Sequence, residues 1–150
     1  MERILVDYKQ RDMLLVPFPF SDQSGNKVRP ILIISNDVFN KKSEDLLVCA
    51  ITSTIKREGT SIVIEQKNIE SGMLHHTCCV KIENILKINK RLILKKIGVL
   101  NKTTFEKVHQ TLSFLKILRK LHVTFERFSS VFDKKLKIIK YRGQVSDVGS

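Results

Sequence analysis

The chain has 150 residues, of which 42% are hydrophobic and 28% are charged. These proportions are ordinary for a globular protein, so they exclude wholesale disorder, and this length is most simply a single domain. The 27 Lys and Arg against 15 Asp and Glu give a formal net charge of +12, which favours a polyanionic partner. Nucleic acid is the first candidate, ahead of an acidic protein or a membrane surface, and the alternative is a generally lysine-rich proteome.

The sequence contains no stretch close to the roughly 20 apolar residues that span a bilayer. Its first residues, MERILVDYKQRDM, are acidic where a signal peptide carries its long apolar segment. We therefore expect a cytoplasmic protein with no membrane partner.

Six strands are predicted in the first hundred residues, at 12–18, 28–35, 45–53, 60–66, 77–88 and 95–100. The first two contain proline, which is confined to strand starts, edges or bulges. Residues 45–53 are almost continuously apolar, which indicates a strand buried on both faces. Residues 36–40 are expected to form a helical turn. Short strands at this spacing predict a compact barrel or two packed sheets.

After residue 100 the apolar residues recur every three or four positions, which predicts an amphipathic helix to about residue 121, packed on the barrel. Thr103-Thr104-Phe105-Glu106 has the form of a capping box at the helix start. We expect one domain over residues 1–125 and a basic C-terminal extension over residues 126–150. The extension is either solvated or helps to hold nucleic acid.

The cysteines, Cys49, Cys78 and Cys79, all lie in apolar runs, and we expect them to be buried small hydrophobic residues. Neighbouring residues on a strand point to opposite faces, so Cys78 and Cys79 are a poor metal pair. His75 and His76 are also adjacent, so they are a poor metal pair for the same reason, and we expect them in a surface turn. The sequence predicts no metal site and no cofactor.

Known chemical motifs are missing: there is no glycine-rich phosphate loop, zinc spacing, nucleophile elbow or acidic magnesium cluster. What remains is one cation, Arg29, and hydroxyl groups at the ends of apolar runs: Ser35, Thr52, Ser53 and Thr54. Such groups can meet at the mouth of a barrel, and the arginine fork suits phosphate oxygens. The alternatives are a surface arginine that pairs with carboxylates and an ordinary β-branched strand residue.

The stretch "YKQRDMLLVPFPFSDQSGNKVRPILIISNDVFN", residues 8–40, resembles the opening of the MazF/PemK family of bacterial toxin endoribonucleases. That family shares a "PFPF-S/T-D-x-S-G-x-K-x-RP" loop, an apolar strand and then "S-N-D-x-x-N". The resemblance continues through "DLLVCAITS" and "KINKRLILKKIGVLNKTTFEKV" and covers roughly residues 8–121. It implies a mainly β fold with α (α+β), an SH3-like small β-barrel with a C-terminal helix. It also implies a homodimer that cuts single-stranded RNA without a metal and is neutralised by a small acidic antitoxin.

The resemblance assigns the family's main catalytic positions to Arg29 and Thr52. Metal-free cleavage proceeds by attack of the ribose 2′-OH on the adjacent phosphate, which leaves a 2′,3′-cyclic phosphate and a 5′-OH. Arg29 would stabilise the developing charge, and Thr52 would orient the phosphate, with Ser53 beside it. Three loop residues are possible catalytic or substrate-binding groups: Asp22, Ser24 and Lys27. Asp22 is the best carboxylate candidate for the general base, and simple turn chemistry is its alternative.

This sequence departs from the family pattern at three places. Arg11 stands where a glycine is common, residues 83–86 match loosely, and residues 126–150 have no counterpart. Two other functions stay open: a catalytically silent nucleic-acid-binding domain on an SH3-like barrel, and a topoisomerase-directed toxin like the related CcdB family. The presence of both Arg29 and Thr52 favours the nuclease.

Overall fold

The computed structural model describes residues 6–18, 27–55 and 60–120. For residues 18, 27 and 117–120 it describes the backbone alone. The strands of this part are β1 (Asp12–Phe18), β2 (Lys27–Ile33), β3 (Asp45–Thr52), β4 (Ser61–Ile64), β5 (Ile69–Gly72), β6 (Cys78–Asn89) and β7 (Lys95–Leu100). The helices are α1 (Asp37–Lys42) and α2 (Lys102–Lys120). The predicted extension over residues 126–150 lies outside the described residues, so the domain boundary at residue 125 stays a prediction.

The strands form one antiparallel sheet in the order β4-β6-β3-β2-β1-β7-β5. The sheet curls into a half-barrel, and α2 packs against it. This confirms the expected mainly β fold with a C-terminal helix. All six predicted strands are present with shifts of at most two residues at their ends.

Strand β5 was not predicted, because Ile69–Gly72 has one apolar residue and no alternation. It forms where two glycines let the backbones of β5 and β7 approach closely. A Cβ atom added to Gly72 would lie 2.3 Å from the carbonyl oxygen of Ile97, and one added to Gly98 would lie 2.7 Å from that of Ser71. Gly72 also has a φ of +91°, which favours glycine.

Two buried clusters lie on opposite faces of the sheet. The helix-side cluster includes Met13, Leu32, Cys49, Ile51 and the α2 residues Phe105 and Val108. The opposite cluster consists of Leu14, Val16, Ile31, Ile33, Leu46, Val48 and Ile88. Strand β3 contributes to both clusters, so its predicted burial on both faces is confirmed.

The prolines of β1 and β2 lie outside the ladders that β1 forms with β7 and β2 forms with β3. The β1–β7 ladder ends at Leu15, before Pro17, and the β2–β3 ladder begins at Ile31, after Pro30. At these positions, within the part of the chain that the structure describes, β1 and β2 pair only with each other, so the missing N–H groups break no hydrogen bond to a third strand. Residues 16–18 and 27–30 thus form a two-stranded extension, which we call the ribbon.

The Ser-Asn-Asp-x-x-Asn motif builds the turn between β2 and β3. Asn36 caps α1 by accepting a hydrogen bond from the Phe39 backbone N–H at 2.8 Å. Buried Asn40 donates to the Ser35 carbonyl oxygen at 2.9 Å, and the Ser35 hydroxyl accepts from the Leu47 backbone N–H at 3.2 Å. These partners give the motif a structural role.

Helix α2 begins two residues earlier than predicted, and the predicted capping box is wrong. The cap is Asn101, whose side chain accepts from the Thr104 backbone N–H at 2.8 Å. Asparagine is as good a cap as threonine, and it directly follows β7. The apolar stripe itself is confirmed, since Phe105 and Val108 are buried and Leu112 and Leu115 pack against the helix-side cluster.

Among the described residues, no helix is both long enough and apolar enough to cross a membrane.

Arg11 adopts a φ of +80°, in the left-handed region that glycine tolerates best. This position, directly before β1, is the one at which the resembling family commonly has glycine. The Arg11 backbone is held by N–H donation to the Ile33 carbonyl at 3.0 Å and by its own carbonyl, which accepts from Leu100 at 2.9 Å. Its guanidinium donates to the Leu100 carbonyl at 3.0 Å and lies 3.4 Å from a Glu70 carboxylate oxygen. Side-chain bonds therefore offset backbone strain here.

We expect Arg11→Ala to be less stable than Arg11→Gly by about 1 kcal/mol, because both variants lose the guanidinium bonds but only glycine relieves the left-handed strain. Urea unfolding of the two variants and the wild type measures this difference. An alanine variant as stable as the glycine variant would show that the backbone at residue 11 is unstrained.

Candidate functional site

Arg29 lies in the ribbon, where it pairs with Val16 of β1. Its side chain is half-buried. Within the described residues no carboxylate forms an ion pair with it, which does not support the alternative of a surface arginine that pairs with carboxylates. A guanidinium with open donors can bind an anion through its planar fork.

Thr52 is the last residue of β3, and the register relates it to Arg29. The last pair of the β2–β3 ladder is Ile31↔Ala50, and Arg29 and Thr52 each lie two residues beyond it. Because side chains alternate along a strand, both residues share the face of Ile31 and Ala50. The fold therefore sets the cation and the hydroxyl at the same end of neighbouring strands and on one face.

The hydroxyls that follow Thr52 are more exposed. The Thr52 hydroxyl accepts a hydrogen bond from the Thr54 backbone N–H at 3.2 Å, which fixes the chain as it leaves β3. Ser53 and Thr54 are exposed. Asp22 and Ser24 lie outside the described residues. Lys27 begins β2 opposite Phe18, and its side chain is not described.

Ser35 does not join this site, contrary to the suggestion that all the strand-end hydroxyls can meet. It follows the C-terminal end of β2, whereas Arg29 lies near the N-terminal end. Its hydroxyl is occupied by Leu47 and Asn40 in the turn to β3. The positions of Ser35 and Arg29 in the sequence did not show that they would lie at opposite ends of β2.

Lys81 of β6 is a half-buried cation that the sequence reading missed. It lies directly opposite Ala50 of β3, so it shares the face of Thr52. The available signal was a single lysine between Val80 and Ile82, which are both fully buried.

The cysteines and histidines behave as expected. Cys49, Cys78 and Cys79 are buried and unbridged, and His75 and His76 are exposed ahead of β6. Burial raises the pKa of Cys49 to about 12; burial, and then the charge of Cys79, raise the pKa of Cys78. Within residues 6–18, 27–55 and 60–120, no group of three or more His, Cys, Asp or Glu side chains could hold a metal ion.

Solved structures share this fold. An endoribonuclease from a Mycobacterial species is 20% identical, with a TM-score of 0.58, covering 75% of this chain and 93% of that one. An endoribonuclease with its cognate antitoxin, also Mycobacterial, is 20% identical with a TM-score of 0.57, covering 71% and 92%. A MazE–MazF complex from Deinococcus radiodurans is 15% identical with a TM-score of 0.59, covering 73% and 96%.

A curled antiparallel sheet with one main C-terminal helix is a MazF-like fold. The family model described as the PemK-like, MazF-like toxin of type II toxin–antitoxin systems matches residues 9–115. The chain belongs to this family.

The raised pKa of Cys49 predicts a loss of stability at alkaline pH. Because the thiol ionises near 9.0 when unfolded and near 12 when folded, the unfolded chain releases its proton first as pH rises above 9. The contribution is complete below pH 9 and is lost progressively towards pH 12. We expect the stability advantage of wild type over Cys49→Ala to shrink by about 1 to 2 kcal/mol between pH 8 and pH 10.5.

Urea unfolding at several pH values measures this advantage. Other groups titrate equally in both proteins, so only the difference between them reports on Cys49. An advantage that stays constant over this range would show that the Cys49 thiolate costs nothing to bury.

Proposed function

We propose that the protein is a toxin endoribonuclease that cleaves single-stranded RNA, in particular mRNA, without a metal ion. The observation that carries this proposal is the placement of Arg29 and Thr52, on one face at the same end of β2 and β3. Membership of the toxin family and the similarity to proteins named endoribonucleases support it. The net charge of +12 suits an RNA substrate.

The reaction is a transesterification within the RNA chain. The 2′-OH loses its proton and its oxygen attacks the adjacent phosphorus, while the bond from phosphorus to the leaving 5′ oxygen breaks. That oxygen takes up a proton, so the products are a 2′,3′-cyclic phosphate and a 5′-OH. Negative charge builds up on the non-bridging oxygens in the transition state, and a fixed cation there lowers the barrier.

Arg29 is the group that we assign to this charge. Its guanidinium donates hydrogen bonds and stays protonated at any relevant pH, so it can also protonate the leaving oxygen but is a poor base. The Thr52 hydroxyl orients the phosphate, and exposed Ser53 is a neighbouring substrate contact. Asp22 and Ser24 belong to the sequence between the two strands of the ribbon, and Lys27 is the first residue of β2. We propose these three as substrate contacts, with Asp22 as the general base.

The proposed partners follow from charge and family. We propose that an acidic antitoxin neutralises the protein by covering the RNA groove, since a surface of +12 attracts acidic chains. Complexes with antitoxins among the similar structures support this. We also propose that the protein acts in the cytoplasm as a homodimer, as the family resemblance implies.

Cleavage of a defined single-stranded RNA is expected to proceed in EDTA with 2′,3′-cyclic phosphate ends, because Arg29 supplies the charge that a metal would otherwise provide. Gel analysis of end-labelled RNA, with phosphatase and kinase treatment of the products, identifies the ends. Activity lost in EDTA and restored by Mg²⁺ would contradict the mechanism. Binding without cleavage would instead indicate the silent nucleic-acid-binding domain, and neither binding nor cleavage would favour the topoisomerase-directed toxin.

Arg29→Ala should lower the cleavage rate at saturating RNA by about 10²- to 10³-fold, the scale for loss of one transition-state donor. Arg29→Lys keeps the charge but loses the bidentate hydrogen bonding of the guanidinium, so it should recover only part of this rate. Single-turnover cleavage measures the rate, and anisotropy with uncleavable RNA measures affinity. Arg91→Ala is the matched control, because Arg91 is an exposed arginine in the turn Lys90–Leu92, near the other end of the sheet.

The catalytic assignment requires that cleavage falls much more than RNA affinity. Equal losses of affinity and of kcat/KM, with kcat unchanged, would make Arg29 a binding contact only.

A further inference from the structure

Polar side chains line one face of the sheet across four neighbouring strands. Lys81 of β6 lies opposite Ala50 of β3 on one side and opposite Ser61 of β4 on the other. Thr52 lies opposite Cys79, two residues from Lys81 along β6. Because residues directly opposite each other share a face, Ser61, Lys81, Thr52 and Arg29 all project from the same side of β4, β6, β3 and β2.

Lys81 is placed to bind an anion. It is half-buried, and within the described residues no carboxylate pairs with it. The residue between it and Ile31 is Ala50, which is small and itself only half-buried. A cation that is partly withdrawn from water without a partner gains more from an anion than a fully exposed one.

Ser61 supplies an independent observation. The residue is only 8% exposed, and its hydroxyl oxygen is buried without a hydrogen-bond partner in the part of the chain that the structure describes. Leaving a buried hydroxyl unsatisfied costs free energy. The register sets Ser61 directly opposite Lys81, so a hydroxyl and a cation that both lack partners among the described residues are neighbours across the strand pair.

We propose that Lys81 and Ser61 form a second phosphate-binding subsite, which holds a phosphate next to the scissile one. The inference rests on the proposed function, because it takes single-stranded RNA as the ligand. Neighbouring strands lie about 4.8 Å apart, so β6 and β2 flank β3 at about 10 Å from each other. The long side chains of Lys81 and Arg29 then hold two phosphates of one RNA strand on either side of Thr52.

This subsite would act as a positioning device. A phosphate fixed by Lys81 limits how the strand can slide or rotate while Arg29 and Thr52 hold the reacting phosphate, and such orientation lowers the barrier to in-line attack. Lys81 and Ser61 would not touch the atoms that react. Their loss should weaken RNA binding and its dependence on salt more than it changes the chemical step.

The test uses a defined single-stranded RNA with 2′-O-methyl riboses, so that no 2′-OH can attack, and measures its anisotropy with the full-length protein from 50 to 300 mM KCl. We expect Lys81→Gln to weaken binding by about tenfold and to make the slope of log K against log salt shallower by about 0.7, the value for one phosphate contact with a single strand. Lys87→Gln is the matched control, because Lys87 is an exposed lysine of β6 that pairs with Asp45 at 3.5 Å. It should leave the slope unchanged.

Ser61→Ala separates a binding role from a structural one. Because the hydroxyl has no partner among the described residues, its removal should leave stability towards urea unchanged or raised, while RNA affinity falls about threefold to tenfold. A loss of stability with unchanged affinity would remove Ser61 from the subsite.

A Lys81→Gln variant that keeps the wild-type affinity and salt slope would overturn the subsite, even if the wild type cleaves RNA in EDTA. A wild type that binds RNA without cleaving it would refute the proposed nuclease activity. The salt slopes of wild type and Lys81→Gln would still test whether Lys81 binds a phosphate. Failure of the wild type to bind RNA would overturn both proposals.

Discussion

The constraint on which the rest of the structure depends is the burial of β2 and β3 on both faces of the sheet. Ile31 and Val48 belong to the opposite cluster, while Leu32 and Cys49 belong to the helix-side cluster. A slip of one residue would exchange the two faces, and each fully buried aliphatic side chain is worth about 1.5 to 3 kcal/mol. The register that sets Arg29 on the same face as Thr52 is therefore fixed by hydrophobic packing and requires no polar contact within the site.

The ends of the ladders decide where that site opens. Pro30 cannot donate a ladder bond, and the β2–β3 pairing stops at Ile31, directly beyond it. Past this point, among the described residues, β2 pairs only with β1, and β3 ends at Thr52, two residues beyond its last pair with β2. The proline that follows the arginine thus stands where the β2–β3 ladder ends, which gives the Arg-Pro sequence a structural meaning besides its charge.

Much of the fold could be predicted because apolar runs and their period are local properties. β1 and β7 have the predicted bounds, and the stripe of α2 is confirmed down to Leu115. The features that the sequence did not predict depend on contacts between residues distant in sequence, or on a choice between two equally suitable residues. β5 exists only because Gly72 can approach Gly98, and Asn101 caps α2 where Thr103 was equally acceptable. In the site, Lys81 is near Ala50 and Ser61 only after three strands have paired, and no spacing in the sequence shows that.

The Arg-Pro strand and the turn after it also show how one stretch of the sequence divides between structure and chemistry. Ser35 and Asn40 have their hydrogen-bonding capacity used within the turn, so their role is complete without a ligand. Arg29 has no carboxylate partner among the described residues, and the Ser61 hydroxyl has no partner at all there. Leaving a buried polar group unsatisfied costs free energy, and a ligand that bonds to it offsets that cost. By this criterion the polar face from β4 to β2 is the surface that we propose to bind the ligand, whereas the Ser-Asn-Asp-x-x-Asn turn serves the connection between β2 and β3.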